Sequence, residues 1–308
     1  MTASAWLGDR IDPSDHRRWE RLGFRSEALG SLPTLLAAVL ADEQAAAAVR
    51  DRAERLIGRI GTFTGAGEPV FGSAEEESYE ITLGGRPLVV PGALAIVALL
   101  ACVDDVRRFH AARGIEDDQS WRTLSDLGQQ VWVHELTFGN VGIHTHPWLT
   151  IAWSGALHWL GRLQFNLHWY EPAPDAVPGG EPRWVLSTHI PQSGPMTPEL
   201  VQDSLDQART FFAATYPDHP FTEMHCTSWL LDPALAELPG TNLADFQARW
   251  RLTGEGGEGD TDALFFVFRR RGTVDLDSLP RDTSLQRLVL DRVTTDHWRV
   301  LTGLIPLS

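Results

Sequence analysis

The sequence predicts an α+β protein in two parts: an all-helical domain over residues 1–145, then a domain over 146–308 in which strands and helices alternate. Two observations predict it. In the first part, Ala- and Leu-rich segments carry apolar residues at helical spacing. From about Trp148 onward, short runs rich in β-branched and aromatic residues, bounded by Pro or Gly, take over. A chain of 308 residues that is 43% hydrophobic has enough apolar side chains for a sizeable core.

In the first part, "LPTLLAAVLADEQAAAAVRDRAERLIGRIG" places Leu35, Leu36, Val39, Leu40, Val49, Leu56 and Ile57 along one predicted helix, closed by Gly61. A second helix is expected from Pro91 to Arg113 with Gly114 as its stop, and a third over "WRTLSDLGQQVWVHEL" before Gly139. One short hairpin, "YEITLGGRPLVV", turns at Gly84-Gly85. In the second part, "LTIAWSG", "LGRLQFNLHWYEP", "RWVLSTHIP" and "FTEMHCTSWLLDP" read as strands. A long helix, "TPELVQDSLDQARTFFAATYP", separates the third from the fourth, and a short one follows at "TNLADFQARW". Two strands, "ARWRLTG" and "DALFFVFRR", are expected to flank a loop at "EGGEGD". A helix at "DTSLQRLVLDRV" and a strand at "HWRVLTGLIPL" finish the chain.

Charge narrows the partners. Lys plus Arg is 26 and Asp plus Glu is 41, so the net charge is 26 − 41 = −15. So acidic a surface argues against nucleic acid and anionic membranes as partners. Cys102 and Cys226 form no CxxC pair, which fits a reducing cytoplasm. The N-terminus has no apolar core of the kind a signal peptide needs. The longest apolar run, from Leu88, is broken by Pro91-Gly92 and falls short of the ~20 residues that span a bilayer. A cytoplasmic location is expected.

The most informative stretch is "STHIPQSGPMTPELVQD", Ser187 to Asp203, where a strand opens through a short turn into a helix. Thr197 suits the N-cap and Pro198 the first helical position. The amides at this helix start and in the preceding loop, aided by the helix dipole, favour an anion, of which phosphate is the usual one. The alternative is that Thr197 and water satisfy them.

The order strand, turn, long helix, strand, short helix, strand, strand resembles the GNAT superfamily of acyltransferases. More closely, "LHWYEP", "HIPQSGPM", "CTSWLLDP", "NLADFQ" and "LPRDTSLQR" resemble a bacterial acyltransferase family in which a helical N-acyltransferase N-terminal domain precedes a GNAT-like C-terminal domain. The resemblance implies a mixed, mostly antiparallel sheet flanked by helices, with two central strands that splay apart around a pantetheine thioester. It implies no permanently bound cofactor, and acyl-CoA or acyl-phosphopantetheine as co-substrate. It further implies an amine acceptor, a small molecule or peptide, and direct transfer without an acyl-enzyme. Some family members accompany natural-product pathways.

Carried onto this chain, the resemblance gives Gln192, Ser193, Gly194 and Thr197 to the phosphate turn and Asn242 to the short helix. Thr188 and Ile190 lie on the strand edge that would pair with the pantetheine arm. The turn departs from the family pattern, because Pro195 and Thr197 stand where glycine or alanine is usual. Pro195 and Pro198 also remove two donors. A weaker grip on a diphosphate is expected, so an acyl carrier protein, with its single phosphodiester, stands beside acyl-CoA as donor.

His189 is the side-chain candidate for a base, with a free pKa near neutrality. Its alternative role is to bond a backbone carbonyl and shape the turn. Cys226 could attack a thioester, yet a lone strand cysteine is commonly a small buried hydrophobe. Ser228 could pass a proton to the departing sulfur. Phe246 stands where many relatives carry a tyrosine acid. Two rival readings remain: a metal hydrolase built on His144 and His146, and a non-catalytic binding module on a degenerate GNAT-like scaffold.

Overall fold

The computed structural model describes residues 1–63, 68–171 and 181–307. The chain forms two compact units, Met1–Trp159 and Leu160–Ser308. Composition places the boundary at 145/146; helix α9 (His146–Trp153) lies within the first unit.

The first unit contains α1 (Ala3–Gly8), α2 (His16–Arg21), α3 (Ser26–Ala41), α4 (Glu43–Ile57), β1 (Tyr79–Leu83), β2 (Arg86–Val90), α5 (Ala93–Ala101), α6 (Val103–Ala112), α7 (Asp117–Leu124), α8 (Asp126–Phe138) and α9. It is not all-helical: β1 and β2 form an antiparallel hairpin, with Gly84 and Gly85 both at positive φ (57° and 78°) as its turn requires. The single helix expected through Asp42 is two helices bent by 102°. Asp42 causes the break, since its carboxylate accepts the amides of Gln44 and Ala45 and so starts a new helix. Gly92, in the left-handed region, delays α5 to Ala93, and a second break falls at Cys102. The "LTIAWSG" segment is helix α9, not strand. Pro147 occupies its first turn, and the buried Leu149, Ala152 and Trp153 follow helical spacing. No single helix among the described residues is long and apolar enough to cross a membrane.

The second unit contains β4 (Leu163–Tyr170), β5 (Arg183–His189), α10 (Pro198–Thr215), β6 (Phe221–Ser228), α11 (Leu243–Gln247), β7 (Arg251–Glu258), α12 (Asp260–Phe268), α13 (Ser284–Val293) and β8 (Arg299–Pro306). With the short β3 (Leu157–Leu160), the strands form a six-stranded sheet in the order β3-β4-β5-β6-β8-β7. β5 and β6 pair in parallel, with α10 as their crossover, while β4–β5, β6–β8 and β7–β8 are antiparallel. Two elements differ from expectation. "DALFFVFRR" is helix α12, with Asp260 and Asp262 in its first turn, where the helix dipole favours carboxylates. "EGGEGD" is not a separate loop, because β7 runs through it to Glu258. Gly254 and Gly256 take left-handed conformations where the register with β8 shifts.

Buried histidines give the first unit a pH signature. His110 is fully buried, its Nδ1 2.8 Å from the Ser120 hydroxyl. Burial, and then the nearby Arg107 charge, push it down to about 4. Burial likewise carries His158 well below its usual range. In the fold both rings must stay neutral. The unfolded chain takes up protons below about pH 6.5, which the folded chain resists until about 4. This stabilisation is complete above pH 6.5 and is lost as pH falls toward 4. The urea midpoint should therefore drop between pH 6.5 and 4.5; a flat profile there would contradict the burial described.

Candidate active site

Register decides which residues share a side of the sheet. Gln164 pairs with His189, Asn166 with Ser187 and His168 with Val185; Ser187 in turn pairs with His225, and Thr227 with Thr302. Directly opposed residues project to the same face. Gln164, Asn166, His168, Ser187, His189, His225 and Thr227 therefore make one polar face. Phe165, Leu167, Leu186, Thr188, Met224 and Cys226 make the opposite, largely apolar face.

The two parallel strands part at one place. Pairing of β5 with β6 ends at Thr188↔Cys226. Beyond it β5 stops at His189, and Ile190-Pro191 leave the sheet. Thr227 instead bonds across to β8, hydroxyl to hydroxyl with Thr302 at 2.9 Å. The parallel ladder of β5 and β6 therefore ends just before the segments at Ile190 and Thr227.

The turn after this opening is shaped by a residue that no sequence motif marks. Arg162, at the start of the β4 hairpin, is buried. Its Nε donates to the Pro195 carbonyl (3.0 Å), and its Nη1 to the Pro191 carbonyl (2.9 Å) and the Ser193 hydroxyl (3.3 Å). Its own amide donates to Ser204 on α10 at 2.6 Å. With those carbonyls held inward, the amides of Ser193, Gly194 and Met196 have no protein acceptor among the described residues. Gly194, at φ 109°, makes the bend. Thr197 caps α10 as expected, accepting the Leu200 amide at 3.3 Å. Gln192, Ser193 and Gly194 are exposed and Thr197 is half-buried, so this surface is open to an anion.

An anion of the protein's own already sits there. Glu199, in the first turn of α10, is held below the usual carboxylate range. The causes are its own backbone amide first, then the Thr197 hydroxyl and the nearby Arg249. Arg249 also donates to the Pro198 carbonyl at 3.1 Å and to the Gln202 side chain.

His189 is anchored, though not through a backbone carbonyl. The Asn166 amide donates to the Leu167 carbonyl (2.8 Å), which leaves its oxygen facing His189 Nε2 at 2.6 Å. Nε2 thus carries the proton and Nδ1 the lone pair. Burial, then repulsion from His168, pushes His189 down to about 4, so the ring is neutral at neutral pH.

The remaining expected residues are scattered. Cys226 is 1% exposed on the apolar face, its thiol pushed up to about 12 by burial, so no thiolate forms there at neutral pH. The Ser228 hydroxyl accepts the Leu230 amide at 3.1 Å and starts a 3₁₀ turn. Thr188 is buried opposite Cys226, its hydroxyl without a partner among the described residues. Ile190 is half-buried at the opening. Asn242 is exposed at the N-cap of α11 and makes no side-chain capping bond. Phe246, in the tyrosine position, is buried. His144 and His146 do not converge: the His146 ring bonds the Gly72 carbonyl at 2.9 Å, while the His144 ring meets His134 at 3.2 Å. Among the described residues no group of three potential ligands could hold a metal ion.

The turn's electrostatics yield a paired expectation. Glu199→Gln removes the resident negative charge and should tighten CoA about two- to fivefold, on the scale of one charge at a helix N-terminus. Arg162→Met frees the two carbonyls and should weaken CoA roughly tenfold, as loss of charge-assisted bonds does. Isothermal titration reads both, and equal affinities across parent and variants would refute this picture of the turn.

Comparison with known proteins identifies both parts of the chain. Residues 14–155 match the N-acyltransferase N-terminal domain and residues 157–305 the GNAT-like C-terminal domain. No curated protein matches the chain. Among solved structures, an acyltransferase in complex with decanoyl-CoA and teicoplanin is 30% identical, covering 98% of this chain and 93% of that one, with a TM-score of 0.77. An acyltransferase in complex with CoA and 10C-teicoplanin is 29% identical over the same shares, at 0.78. An acyltransferase mutant in complex with octanoyl-CoA is 29% identical over the same shares, at 0.75. These matches together make the chain an enzyme, a member of the acyltransferase family that joins an N-acyltransferase N-terminal domain to a GNAT-like C-terminal domain.

Proposed function

We propose that the protein transfers a medium-length fatty acyl group from acyl-CoA to an amine of a glycopeptide-type acceptor. The observation that carries the donor half is the parting of β5 from β6 at Thr188↔Cys226, directly beside a turn with free amides. The likeness to acyltransferases in complex with decanoyl-CoA and with teicoplanin supports the acyl length and the acceptor class.

In this reading the CoA phosphates meet the amides of Ser193 and Gly194 and the start of α10, with Gln192 and Thr197 at the rim. The pantetheine arm pairs with the free edge of β5 near Thr188 and Ile190, in the manner of an added strand. Asn242 flanks the arm from α11. The neutral amine adds its lone pair to the thioester carbon, and the carbonyl electrons move onto oxygen. An amide N–H at His189 or Ile190 stabilises that oxyanion. The charged nitrogen gives its proton to Nδ1 of His189, while the carbon–sulfur bond breaks and CoA leaves as thiolate or thiol. The low proton affinity of His189 suits it to a strongly acidic intermediate better than to a free alkylammonium ion. Holding amine and thioester in line supplies much of the rate. Asn166 keeps the His189 lone pair on the correct nitrogen.

Release of free thiol from decanoyl-CoA, dependent on de-acylated teicoplanin, tests the reaction. His189→Ala should lower kcat about 10²- to 10⁴-fold, and a loss below tenfold would reject it as the base. The acid limb due to His189 should lie near pH 4, not 6.5. Thiol release from an acyl carrier protein with none from acyl-CoA would replace the donor in this reading.

A further inference from the structure

On the polar face, one buried amide has no use within the fold. Gln164 lies on β4 directly opposite His189, with Asn166 next along the same face. It is only 2% exposed, and its flanking residues Leu163 and Phe165 are completely buried. Its Nε2 has no hydrogen-bond partner among the described residues. The neighbouring Asn166 has partners at both ends of its amide, the Leu167 carbonyl at Nδ2 and His189 at Oδ1. A buried N–H donor without an acceptor costs stability, and an apolar side chain of the same shape would avoid that cost. Such a group is accounted for when a ligand supplies the acceptor.

We propose that Gln164 positions the acyl acceptor: its amide N–H donates to an oxygen of the acceptor molecule beside the attacking nitrogen. The inference rests on the acyltransferase reading above and adds the residue that recognises the acceptor. The acceptor is an amine that offers a hydroxyl, ether or carbonyl oxygen near the reacting nitrogen. Placement separates this role from one toward the thioester. The opening for the thioester lies on the β6 side of β5, whereas Gln164 approaches from β4, on the opposite edge. What Gln164 shares with His189 is a sheet face, the one from which the amine's proton is taken. A plain alkylamine meets only His189 there, while an oxygen-bearing amine also satisfies Gln164 and is held with its nitrogen beside the ring. This makes Gln164 a specificity-determining residue whose loss appears in acceptor affinity.

The test uses the full chain with decanoyl-CoA and de-acylated teicoplanin, read by thiol release. Gln164→Met keeps length and removes the donor; Gln164→Leu is the second variant. The expected result is an acceptor KM raised about three- to tenfold, the worth of one hydrogen bond. The CoA dissociation constant from calorimetry should stay within about twofold, and the Tm should equal or exceed the parent's because no protein bond is lost. An unchanged acceptor KM overturns the assignment, as does a parallel loss of CoA affinity. Failure of both variants to fold also overturns it, since that would make the amide structural. If the parent itself shows no amine-dependent thiol release, the acyltransfer reading falls and this assignment with it.

Discussion

The site depends on one buried cation bonded to main-chain oxygen. A guanidinium taken out of water needs good acceptors for its donors, and Arg162 directs Nη1 and Nε at the carbonyls of Pro191 and Pro195. Those bonds draw in the carbonyls of a turn containing three prolines, so its amides are left facing out. They also tie the turn to the first residues of β4, while the Arg162 amide ties the same corner to α10. Strand end, turn and helix start thus move as one body. The end of the β5–β6 ladder and the unbonded amides thus lie beside a single anchor.

The sheet divides the labour. Its apolar face is filled by Phe165, Leu167, Leu186, Met224 and Cys226 and serves the core. Its other face carries Gln164, Asn166 and His168 at alternate positions on β4, answered by Ser187 and His189 on β5 and His225 on β6. Desolvation keeps the His189 ring neutral, and Asn166 selects its tautomer. The state of this ring is set by position: the same imidazole in water would be part-charged near neutrality and free to rotate.

Much of this is legible in the sequence, and the parts that are not have identifiable causes. Thr197-Pro198 locates the start of α10, because capping chemistry is local. The hairpin at Gly84-Gly85 is legible for the same reason, although it contradicts a wholly helical first domain. The segments 149–155 and 262–270 read as strands because their aromatic and branched residues mimic a strand signature. In fact Pro147 and the Asp260/Asp262 pair mark helix starts. Arg162, Asn166 and Gln164 escape a linear reading because their neighbours are met only across strands and turns. The one available signal is alternation: polar residues at 164, 166 and 168 within an otherwise apolar run. Glu199 reads as part of a helix start, which hides a carboxylate able to occupy the anion position itself.

The burial of Cys226 has a consequence for the order of events. With its thiol protonated and facing the packed side of the sheet, away from His189, this residue cannot take the acyl group and hold it between substrates. No half-reaction can then run on it to completion with one substrate absent. Under the proposed direct transfer, donor and acceptor occupy the enzyme together, and reciprocal rate plots at several fixed donor concentrations will intersect instead of running parallel.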